Sequence, residues 1–138
     1  MVGVVIVAHG CFASALLTTA EQIAGKQEQV ISLDFAIGEN TADLQLRIKE
    51  AIRGVDTGQG AIILVDLLGG SPYHAAAIVT MQQPGIEMIS GVNVSMLLEI
   101  LPVRNDKLMN VASAALKGGH DGIRDLVFNE VTIVEGRD

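Results

Sequence analysis

The sequence predicts an α/β fold: a doubly wound, mostly parallel sheet in strand order 2-1-3-4 with helices on both faces. Three observations carry that expectation. Short β-branched runs alternate along the 138 residues with segments whose apolar positions recur at helical spacing. Runs such as "VVIV" and "AIILV" are apolar at every step rather than every second one, as in strands buried on both faces. Glycine and proline, 15 and 3 in number, punctuate the junctions, and no repeat or low-complexity linker interrupts the pattern.

The elements follow in order. "VGVVIVA" is the first strand, closed by His9. Leu16, Ala20, Ile23 and Ala24 then mark a helix that Gly25 stops. "VISLDF" is a short second strand. Asn40 or Thr41 caps the next helix, whose stripe of Leu44, Ile48, Ala51 and Ile52 ends at Gly54. "AIILVD" is the third strand, and residues 71–81 are helical, with Ser71 at N-cap and Pro72 at the first helical position. "IEMISGV" is the fourth strand, and "SMLLEIL" opens a helix that Pro102 stops. Leu108, Val111, Ala112, Ala115 and Leu116 form a last helix before Gly118 and Gly119, and "EVTIVE" closes the chain as a strand.

Composition narrows the function. The chain is 49% hydrophobic and 3% aromatic, so the core is aliphatic. Nine basic and 16 acidic residues give a net charge of -7, which offers no electrostatic footprint for nucleic acid. The single cysteine, Cys11, rules out an internal disulfide and a thiolate-rich zinc site, and it reads as a small, partly buried residue. Every apolar run falls short of the ~20 residues of a membrane-spanning helix, and the N-terminus lacks the basic region of a signal peptide. A soluble cytoplasmic protein is expected.

In open parallel sheets the working site lies beyond the carboxyl ends of the strands, where strand order reverses. That crevice falls between the first and third strands, so the topology brings together His9 and Asp66, which end them. A carboxylate accepting from one ring nitrogen fixes the tautomer and leaves the other as a nucleophile. The plainer reading is a strand-end histidine beside a turn-capping aspartate. In "DLLGGSPYHAA", Gly69 and Gly70 free the backbone and Ser71 opens a helix, either as a capped turn or as an anion seat built from the hydroxyl and the first N–H groups. His74 could border the site or be an ordinary surface residue, and His120 reads as a loop residue. Three scattered histidines do not make a metal site, and no phosphate-loop or dinucleotide fingerprint is present.

The strand-end histidine, "LDF" with "GEN", "LVDLLGGSP" and "GVNVSMLLEIL", in that order, closely resemble the enzyme IIA component, mannose class, of the bacterial phosphoenolpyruvate-dependent sugar phosphotransferase system. The likeness spans essentially the whole chain and implies a single IIA domain over residues 1–138. It implies that His9 takes phosphoryl from the histidine phosphocarrier protein and passes it to a histidine of a IIB component, with membrane components IIC and IID engaged indirectly. Asp66 matches the family's orienting carboxylate and Ser71 a residue beside the phosphohistidine, with Gly70 in the phosphate-binding turn. No metal, nucleotide or other cofactor is implied. The family forms homodimers that exchange a C-terminal strand, a role "EVTIVE" fits. His74 departs from the small polar residue more usual there. The phosphoryl-accepting subunit of a dihydroxyacetone kinase shares the strand-end histidine, although a different sequence follows its third-strand aspartate. Phosphorylation-controlled regulatory domains of transcription activators share the fold within longer chains. A response-regulator receiver needs an acidic pair where this chain has Ala8-His9, and "HGCFAS" is a poor flavin phosphate loop.

Overall fold

The computed structural model describes residues 1–126. Its elements run β1 (Gly3–His9), α1 (Phe12–Ala24), β2 (Val30–Phe35), α2 (Thr41–Val55), β3 (Ala61–Val65), α3 (Ser71–Gln82), β4 (Ile86–Ser90), α4 (Val94–Ile100), a 3-10 turn (Leu101–Val103) and α5 (Leu108–Asp121). The four strands form one sheet in the order β2-β1-β3-β4, and every pairing is parallel. The expected order and the helices on both faces are therefore present. "EVTIVE" lies outside the described residues.

Side-chain alternation explains the two-layered core. From β1, Val4, Ile6 and Ala8 point to one face and meet Leu16 and Ala20 of α1, Leu97 and Ile100 of α4, and Val111 and Ala115 of α5. Val5 and Val7 point to the other and meet Leu44, Ile48 and Ile52 of α2 and Ala75, Ala76 and Val79 of α3. The central strands β1 and β3 are enclosed throughout, apart from His9. Truncating one of their large residues to alanine would cost about 2–5 kcal/mol. No described helix is long and apolar enough to cross a membrane.

Some local expectations need correction. The last helix does not stop before Gly118 and Gly119; α5 runs through both to Asp121, so His120 is helical rather than in a loop. The glycines serve contact with α4. A Cβ on Gly118 would lie 2.4 Å from Glu99 Cβ, and one on Gly119 would lie 2.9 Å from Met96 Cε. Close helix approach thus outweighs a glycine's unfavourable helix propensity of about 1 kcal/mol. Ile23 and Leu116, read as stripe residues, are exposed among the described residues. Asn40, not Thr41, caps α2, accepting the Asp43 N–H at 2.8 Å, and the helix continues one residue past Gly54.

Candidate functional site

Strand register builds the site. β1 outruns β3: Val7 pairs with Val65 while His9 pairs only with Phe35 of β2. The chain leaving β3 places Asp66 beside the projecting His9. Asp66 Oδ2 accepts the His9 backbone N–H at 3.0 Å and lies 2.8 Å from His9 Nδ1. Its Oδ1 accepts the Leu67 N–H at 2.9 Å.

Both carboxylate oxygens are therefore engaged as acceptors. Burial alone would raise the pKa of Asp66, but the backbone and side-chain hydrogen bonds from His9 outweigh it and hold the carboxyl below its ordinary value. An ionised Asp66 can only accept, so Nδ1 carries the hydrogen of the shared bond and Nε2 of the neutral ring keeps a lone pair. The imidazole is 46% exposed against 16% for the Asp66 side chain, so the ring is open to solvent while the carboxylate beside it is shielded.

The "LLGGSP" turn meets the ring on its free side. Gly69 has φ +85°, a left-handed conformation that folds the chain back toward α3. A Cβ on Gly70 would lie 2.8 Å from His9 Cε1 and 3.4 Å from Nε2, so a side chain there would displace the imidazole. Gly70, not Ser71, is the N-cap of α3: it is extended, and its carbonyl already accepts the His74 N–H at 3.0 Å. Ser71 is the first helical residue. No side chain caps α3, its first turn holds no acidic residue, and Pro72 removes one donor, leaving the Ser71 and Tyr73 N–H groups at the helix start without intrahelical acceptors. An anion at Nε2 would meet this electropositive end.

The structure thus brings His9, Asp66 and Gly70 together and starts α3 at Ser71 beside them. His74 is exposed and packs edge-on against Tyr73, with ring centroids 5.9 Å apart. Cys11 is exposed rather than partly buried, because it lies in the open turn between β1 and α1. Sequence reasoning missed Phe35 and Asp34. Phe35 stands edge-on to the His9 ring at 6.2 Å, and its carbonyl accepts the Gly10 N–H at 2.8 Å. Asp34 Oδ1 accepts the Ser14 N–H at 3.0 Å, and Oδ2 accepts the Ser14 hydroxyl at 2.6 Å. The available signal was the lack of any capping residue in "HGCF", which leaves the α1 start to be satisfied from elsewhere.

Residues 3–116 match the EIIA-man family, described as PTS system fructose IIA component. The chain is 37% identical over 127 residues to the PTS system mannose-specific EIIAB component of Escherichia coli K12, covering 91% of this chain and 39% of that relative's length. It is 35% identical over 104 residues to the PTS system fructose-specific EIIA component of Bacillus subtilis, covering 75% of this chain and 71% of the relative. The crystal structure of phosphotransferase system component EIIA from Streptococcus agalactiae superposes with a TM-score of 0.83 at 29% identity, over 91% of this chain and 97% of that one. With a family match over residues 3–116 and relatives 35–37% identical, the chain belongs to the mannose family of IIA components of the sugar phosphotransferase system.

Proposed function

We propose that His9 is the residue that carries the phosphoryl group, accepting it from the phosphohistidine of the histidine phosphocarrier protein and passing it to a histidine of a IIB component. The observation that carries this reading is the His9–Asp66 pair, with Nδ1 committed to the carboxylate at 2.8 Å and the other side of the ring facing Gly70.

The chemistry balances without metal or general base. The Nε2 lone pair attacks phosphorus as the donor's N–P bond breaks, and the donor imidazole leaves with that bond's electrons. No proton has to depart, because Nε2 carried none. The positive charge left on the ring is opposed by Asp66, and the start of α3, with the Ser71 hydroxyl, binds the phosphoryl oxygens. Reversal onto an acceptor histidine passes the group on.

The surroundings fit protein partners. Phe12, Ile37, Leu67 and Leu68, on or beside the loops that follow the first three strands, are large apolar residues left exposed. Such residues serve as anchors when a partner's surface closes over the histidine. The protein acts in the cytoplasm as a homodimer; among the described residues, β4 has one unpaired edge that a second copy could cover.

Native mass spectrometry after incubation with phosphoenolpyruvate, enzyme I and the phosphocarrier protein tests this reading. The expected species is a dimer carrying one acid-labile phosphoryl group per chain, and His9→Ala gives an unmodified dimer. Retained labelling of that variant would place the carrier elsewhere, and a monomer at micromolar concentration would remove the dimer.

A further inference from the structure

Two helices begin beside the carrier histidine, and their starts are treated differently. The start of α3 is left bare. The start of α1 has no local cap either, since Cys11 makes no capping bond and no acidic residue lies in its first turn. A carboxylate reaches it from another strand instead. Asp34, next to last in β2 and 20 residues from its partner, takes both the backbone N–H of Ser14 at 3.0 Å and its hydroxyl at 2.6 Å. Ser14 is the third residue of α1, so its amide is one of the donors that a helix start leaves unsatisfied. Asp34 thus performs in trans what an N-cap side chain performs locally, and it adds a full negative charge to that helix end.

Asp34 is itself fixed next to the nucleophile. It pairs in register with Ala8, the residue before His9, and the following residue, Phe35, pairs with His9 and bonds Gly10. Its carbonyl accepts Arg47 Nη1 at 2.9 Å, and the same nitrogen donates to Glu39 Oε2 at 2.9 Å, tying this end of β2 to α2. The turn from Gly10 to Phe12 is therefore clamped from the β2 side as firmly as His9 is from the β3 side.

We infer that Asp34 is a positioning residue for phosphoryl transfer: its carboxylate takes the Ser14 amide, opposes the pull of the α1 start on an anion and fixes the turn after His9, so that the phosphoryl oxygens are directed to the start of α3. The inference rests on His9 being the carrier. It gives Asp34 a role in where the group sits, beyond holding a helix in place.

The test compares wild type, Asp34→Asn and Ser14→Ala in single-turnover transfer from the phosphorylated phosphocarrier protein, together with the 31P chemical shift of each phosphoprotein. Asn keeps an oxygen for the Ser14 amide and loses the charge. Ser14→Ala keeps the charge and loses the hydroxyl bond. Asp34→Asn is expected to lower the maximal rate about tenfold with the half-saturating donor concentration unchanged, and to move the 31P resonance. Ser14→Ala shifts both in the same sense by less. A wild-type rate and resonance in Asp34→Asn would overturn the inference; so would an unchanged Ser14→Ala if Asp34→Asn does not fold. Failure of wild type itself to label would instead remove the carrier assignment on which the inference stands.

Discussion

The two ends of the sheet each hold a basic side chain across strand termini, under opposite conditions. At the carboxyl ends, His9 is open to solvent, bound through one nitrogen to an ion, with the other nitrogen uncommitted. At the amino ends, Arg104 is 3% exposed. Its Nη1 donates to the Val2 carbonyl at 3.3 Å and the Gln29 carbonyl at 3.4 Å, and its Nη2 donates to Gln27 Oε1 at 3.3 Å. Its own carbonyl accepts the Val2 N–H at 2.7 Å. Burial lowers the Arg104 pKa from its ordinary value, and the charge of Glu28 opposes that shift. A cation closed in among neutral acceptors can only fasten the strands it touches. A half-exposed ring held by one carboxylate can change its bonding, so the open end is where chemistry is possible.

Separating stability from transfer would sharpen this contrast. Arg104→Ala takes the guanidinium donors from the Val2 carbonyl and from the Gln29 carbonyl, which keeps the Val4 N–H, and leaves a cavity, and it should lower unfolding stability on the order of 3 kcal/mol in a denaturant titration. Transfer per folded molecule should not change; a variant as stable as wild type would show that Arg104 staples nothing. Asp66→Asn should do the reverse at the other end. It keeps an acceptor for Nδ1–H and loses the charge that opposes the phosphorylated ring, so transfer in rapid-quench kinetics should slow about 10²-fold with little change in unfolding midpoint. A wild-type rate would reduce Asp66 to a structural partner of the His9 backbone.

What was legible in the sequence follows from the range of the forces involved. His9 and Asp66 could be paired from 57 residues apart because each ends a strand and parallel topology aligns strand ends. The central strands were readable because double-sided burial demands unbroken apolar runs. Rules that look only a few residues along the chain did less well. They gave Ser71 the capping role that Gly70 holds, and they read Gly118 and Gly119 as a stop, when the decisive contact is with Met96 and Glu99 of another helix. Asp34 was passed over for the same reason: it caps a helix from a different strand.

In the proposed transfer, Asp66 commits Nδ1 and thereby leaves the phosphoryl group to Nε2 of His9. Phosphorus–nitrogen and proton–nitrogen NMR correlations on 15N-histidine-labelled phosphoprotein test it most directly. Phosphorus is expected on Nε2 of His9, with Nδ1 still protonated. Phosphorus on Nδ1 would contradict it, because that adduct requires the 2.8 Å bond to Asp66 to be given up.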